Sequence, residues 1–120
     1  MSLREQTFRL GMWKWDAVVL VGGTHDEVEA EIKRMGIEQP NVGEYSAGHA
    51  WVTYGKPCAI WVQTLRDIPC LVHESFHLVH GVLEARGVKH SADSEEAFAY
   101  TLEAFLHSIL ECKKWHEVKR

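Results

Sequence analysis

Apolar residues first concentrate in the unbroken run Ala17-Val18-Val19-Leu20-Val21, closed by Gly22-Gly23. A short continuous run bounded by turn residues predicts a buried strand over Asp16 to Gly22. The period then changes, because Val28, Ile32 and Met35 fall on one helical face. Ahead of them, Thr24-His25-Asp26-Glu27 is a capping box, with Thr24 as N-cap and Glu27 reaching back to its amide. Gly36 supplies the stop. His25 is expected as a first-turn surface residue.

Pro40 to Gly48 reads as a loop. Two β-rich runs, Ala50 to Tyr54 and Cys58 to Gln63, flank Gly55-Lys56-Pro57 and predict antiparallel strands joined by a turn. From Asp67-Ile68-Pro69 to about Arg86 the spacing is helical again, with Pro69 near N1 and Gly87 closing. Ser91 to Ser94 is rich in capping residues, and a third helix runs from there to about Lys114. No internal repeat, low-complexity tract or linker breaks the pattern. The expectation is one α+β domain over residues 1–120.

Composition narrows the function more than the fold. With 46% apolar and 25% charged residues the chain is neither disordered nor fibrous. Thirteen basic residues against seventeen acidic, a net of −4, make a poor footprint for nucleic acid or an anionic membrane. The basic cluster Lys113, Lys114, Lys119 and Arg120 reads as a solvated helix end. Arg4, Glu5 and Arg9 interrupt the first ten residues, so no secretory leader is expected, and Ala17 to Val21 is too short to span a bilayer. Cys58, Cys70 and Cys112 are odd in number, form no CxxC pair, and read as small buried apolar residues. A reducing, cytoplasmic setting fits them.

The chemistry sits in Leu71-Val72-His73-Glu74-Ser75-Phe76-His77, an HExxH motif inside the second predicted helix. Positions i and i+4 lie nearly in line on a helix, so His73 and His77 present two imidazoles to one ion. That spacing suits a tetrahedral Zn²⁺. Glu74 lies about 100° round the helix, placed to take a proton from a water whose pKa zinc lowers to about 7. Leu71, Val72, Phe76, Val79 and Leu83 predict a largely buried helix, in which unpaired imidazoles would be costly.

A catalytic zinc needs a third protein ligand and one open position. The metzincin continuation would need Gly at position 80 and His at 83, where this chain has His80 and Leu83. Downstream, eighteen residues separate His77 from Glu96, in the stretch Glu95-Glu96-Ala97-Phe98-Ala99. This resembles the gluzincin metallopeptidases, in particular the aminopeptidases, whose third ligand opens a similar Asn-Glu-Gly-Phe-Ala stretch. The resemblance spans His73 to Tyr100 and implies that His73, His77 and Glu96 bind a single zinc, with Glu74 as general base. In length the chain is more similar to short zincin-like domains of phage and prophage type. There a small mixed sheet covers the active-site helix and the glutamate-bearing helix. Its edge strand pairs with an extended peptide, here Cys58 to Gln63 or Ala50 to Tyr54.

Other carboxylates compete for the third position. Glu103 and His107 share the stripe of Glu96 and Tyr100, and antiparallel helix pairing would bring Glu103 near His77. Glu95 shares its side with Phe98, Leu102 and Leu106 and reads as a first-turn, dipole-favoured carboxylate. His80 and Glu84 extend the His73/His77 stripe as a polar seam, and His90 reads as a surface residue. Tyr100, His80 and His107 are the candidate oxyanion donors. Tyr100 stands where the thermolysin-like pattern carries an Asp. Two functions follow: a zinc peptidase acting on a peptide or protein substrate, or a zinc-binding regulatory or host-interaction module without catalysis. The tryptophans, including Trp13, Trp15, Trp51 and Trp61, are expected in the sheet core.

Overall fold

The strand expected at Ala17–Val21 is central to the sheet. In the computed structural model, which describes residues 2–44, 46–53 and 57–119, it is preceded by another strand. The elements are β1 (Arg4–Leu10), a 3-10 turn (Gly11–Trp13), β2 (Trp15–Val21), α1 (His25–Arg34), β3 (Gly48–Trp51), β4 (Cys58–Val62), α2 (Ile68–Ala85), α3 (Glu95–Glu111) and β5 (His116–Glu117). They form a small α+β domain around one five-stranded mixed sheet of order β3-β4-β2-β1-β5. Only β2 and β4 run parallel, with Ala17 opposite Cys58 and Val21 opposite Val62.

Both faces of the sheet are covered, which explains why β2 and β4 read as continuous apolar runs. Alternate residues Ala17, Val19, Val21, Cys58, Ile60 and Val62 meet the inner faces of α2 and α3. Their neighbours Leu20, Ala59 and Trp61 face Val28 and Ile32 of α1. Trp51 and Trp61 are core residues, as expected, whereas Trp13 and Trp15 are half-buried. Burial pushes the Cys58 thiol up to about 12, so it stays protonated. Cys70 and Cys112 are only half-buried, a departure from the expectation for three buried thiols.

The capping signals act as expected. Thr24 Oγ1 accepts from the Glu27 amide at 3.2 Å, and Glu27 Oε1 accepts from the Thr24 amide at 3.0 Å. Asp67 caps α2 through the Cys70 amide, with Pro69 in the first turn, and Gly36 and Gly87 sit at positive φ beyond α1 and α2. Three expectations change, and one strand stands where the sequence predicted no element. Arg4–Leu10 is a strand, paired along its length with β2, although only Phe8 and Leu10 carry an apolar alternation. The third helix stops at Glu111 rather than Lys114, and the chain turns back into β5. His25 is half-buried, its Nε2 3.0 Å from the Ser46 carbonyl and its ring edge-on to Trp61. Cys58–Val62 lies inside the sheet, so the edge beside α2 is β3. Tyr54, Gly55 and Lys56, in the expected turn, lie outside the described residues.

Candidate metal centre

The HExxH segment occupies the first half of α2, which Asp67 caps and whose apolar face, Leu71, Leu78, Val79 and Val82, anchors it to the sheet. This leaves His73 and His77 exposed and turns Glu74 inward, at 9% exposure. The expectation of buried imidazoles is therefore corrected. Val72 and Phe76 are also exposed, so Glu74 is the one ionisable side chain of the motif that is buried.

His73 Nε2 and His77 Nε2 stand 3.2 Å apart. Two imidazole nitrogens sharing a tetrahedral zinc, each bonded at about 2.0–2.1 Å, are separated by about 3.3–3.4 Å. An N–H···N bond between the rings suits the same distance, so it is Glu74 that adds the second argument. The residue is nine-tenths buried, its side chain lines the cleft beside the pair, and it has no hydrogen bond or ion pair among the described residues. Such a group is costly to bury unless a cation or a proton donor meets it.

The cleft that holds these three side chains has a volume of about 480 Å³. From α2 it is lined by His73, Glu74, His77 and Gly81, and opposite them by Gly48, His49, Ala50 and Val52. Strand alternation turns Ala50 toward the α2 side and Trp51 toward the α1 side. The His49 ring lies tilted against Trp51, ring centroids 4.6 Å apart, the two residues sharing one side of the strand. Cys70, one turn before Glu74, has its thiol pushed up by partial burial and then by the Asp67 and Glu74 carboxylates.

Two glycines let the walls meet. A Cβ on Gly48 would lie 2.7 Å from Cys70 Sγ and 3.0 Å from Glu74 Cγ, and one on Gly81 would lie 2.9 Å from three Val52 side-chain atoms. Sequence reasoning missed both, although a glycine in mid-helix costs about 1 kcal/mol against alanine and so marks a close approach. Gly48→Ala is expected to destabilise the fold by about 1–3 kcal/mol. A urea melt of the variant against wild type measures it.

No family model, curated protein or solved structure matches the chain. The assignment of the site therefore rests on its own geometry.

The remaining candidate residues are dispersed. Among the described residues, no group of three His, Cys, Asp or Glu side chains stands together to hold a metal ion. Glu96 is exposed in the first turn of α3, about 200° round the helix from the buried Phe98, and does not line the cleft. Glu95 is likewise exposed. Glu103, Tyr100 and His107 line a different groove, between α3 and the β1 hairpin. His107 Nδ1 lies 3.2 Å from Glu111. Of the three oxyanion candidates only His80 belongs to the α2 stripe, 3.8 Å from Glu84 and packed on Phe98 and His90. Exposed His90 lies against Phe98, at 4.8 Å between rings. Phe76, expected in the core, instead contacts the rings of His77 and His80 at 6.3 and 5.9 Å between centroids.

Proposed function

We propose that the protein is a zinc-dependent peptidase in which His73 and His77 hold the ion and Glu74 is the general base. The observation that carries this reading is the 3.2 Å imidazole pair beside a buried, unpartnered carboxylate. Glu96 is the proposed third ligand, on its spacing from His77 and the resemblance of its surroundings to the gluzincin stretch. A zinc ion at this pair would polarise a water and a peptide carbonyl. Glu74 Oε would take the water's proton and return it to the leaving amine nitrogen. The β3 edge across the cleft offers backbone groups with which an extended substrate can pair.

A second reading, a zinc-binding regulatory or host-interaction module without catalysis, draws support from the dispersed donors, because Glu96 and the oxyanion candidates Tyr100 and His107 stand outside the cleft. Free thiols support a cytoplasmic setting for either, and no helix among the described residues is long and apolar enough to cross a membrane. Purified protein, analysed for metal and presented with a broad peptide library, decides between them. The peptidase should cleave, stop with a chelator and recover with added zinc. Zinc binding without any cleavage would select the module, and absence of zinc binding would reject both.

A further inference from the structure

The sheet has a second flank, remote from the histidine cleft. There β5 pairs with β1 only at Arg4 and Glu5, and the Val118 amide adds a bond to the Leu3 carbonyl at 2.9 Å. In an antiparallel ladder alternate residues direct both backbone groups to the same side, so Leu3, Glu5, Thr7 and Arg9 face outward. Thr7 follows this parity, since its N–H donates to the Gln6 side-chain oxygen at 2.9 Å instead of to a strand. From the Thr7 carbonyl onward, no described strand pairs with the outer side of β1.

Beside this open edge lies a groove of about 740 Å³ between β1 and α3. Phe8, Leu10 and Met12 line it from the hairpin, and Ala97, Tyr100 and Ala104 from α3. Met12 is 83% exposed and Tyr100 65%, so large apolar surface stands open on both walls. Apart from His107, the charge on the α3 wall has one sign. Helix α3 carries Glu95, Glu96, Glu103 and Glu111 and no lysine or arginine in its 17 residues. Glu103, at the groove, forms no ion pair among the described residues, while Arg9 on the opposite wall is held by Asp16 at 3.0 Å.

We propose that the outer edge of β1, from Thr7 to Leu10, binds an extended segment of a partner protein that carries apolar and basic residues. The segment continues the line on which β5 already adds to β1, taking the Thr7 carbonyl and the outward backbone groups of Arg9, beyond the Gln6 side chain that bridges the Thr7 N–H and the Lys114 carbonyl. Its groove-facing side chains pack on Phe8, Leu10 and Ala104, and a lysine or arginine among them meets Glu103. An extended strand is favoured over a helix because the groups without a protein partner are those of a strand edge, which a strand can pair in register and a helix, with its own backbone groups used internally, cannot. This site is independent of the peptidase reading, as β3 and β1 lie on opposite sides of the β4-β2 centre.

Fluorescence anisotropy with labelled hexapeptides alternating valine or phenylalanine with lysine tests the proposal. Wild type should bind them in a saturable way, and the same peptides with glutamate for lysine should bind about tenfold more weakly or worse. Arg9→Pro removes an outward N–H, as an edge position tolerates, together with the Arg9–Asp16 ion pair. Arg9→Ala removes the ion pair alone as its control, and Ala104→Trp fills the groove. Arg9→Pro and Ala104→Trp should each weaken binding about tenfold, with the far-UV spectrum and urea midpoint showing that the variant is folded. Peptides N-methylated at alternate residues make the same cut from the partner's side and leave the protein untouched. Absence of binding to wild type overturns the proposal, as does binding indifferent to both variants and to N-methylation. A wild-type dimer in light scattering that Arg9→Pro turns into a monomer would overturn it in favour of a second copy of the chain.

Discussion

Replacing Glu74 by glutamine is expected to lower kcat/KM for peptide hydrolysis by about 100- to 10,000-fold while the metal content stays at the wild-type level. Glutamine matches the shape of the side chain but cannot take up a proton at neutral pH. Glu74 points about 100° away from the line of His73 and His77, so its loss leaves the pair free to bind the ion. Stability should not fall, because the substitution removes a buried charge that has no hydrogen bond or ion pair among the described residues. Initial rates, metal analysis and a urea melt on the same preparation separate these effects. A metal-dependent activity that survives Glu74→Gln would refute the mechanism. A folded, zinc-loaded wild type that cleaves nothing would assign the carboxylate to the non-catalytic module.

The second large effect concerns the ion itself. His73→Ala or His77→Ala should weaken zinc binding by more than about 100-fold, since loss of even an outer partner of a ligand costs about 10–100-fold. Competition with a chromophoric chelator measures it. Glu96→Ala should weaken binding far more than Glu103→Ala or Glu95→Ala. Glu103 faces the groove against the β1 hairpin, so its removal should leave zinc affinity near wild type. Glu96 and Glu103 share one stripe of α3 that lies outside the cleft, so either as ligand requires that stripe to turn toward α2 when metal is bound, and a more damaging Glu103→Ala would give the role to Glu103. Full zinc retention by both histidine variants would mean that the site lies elsewhere.

Much of the fold is local in origin, and it was legible for that reason. The Ala17–Val21 run, the Thr24/Glu27 box and the Asp67-Ile68-Pro69 start depend on neighbours within a few residues, through pleat, capping bonds and the fixed φ of proline. The β1 strand escaped because Arg4, Glu5, Gln6, Thr7 and Arg9 dilute its alternation, and its pairing partner is β2, not a local signal. Val72 and Phe76 were misjudged for a related reason. Periodicity says which residues share a helix face, but not how far the neighbouring elements extend over it.

By itself, then, the sequence determined the α+β class, the position of each long helix, and two histidines on one face with a glutamate beside them. Those are properties of a 3.6-residue period and of short-range capping. Only the tertiary structure decided that the imidazoles are exposed while Glu74 is buried, and that β3 forms the cleft's far wall. It also separated Glu96 from the cleft and turned Glu103 toward another groove. Each of these depends on the rotation of a helix about its own axis and on how closely a strand approaches it. Here Gly48, Gly81 and the contacts of Phe98 and Phe105 with the core set both, through packing among residues far apart in the chain.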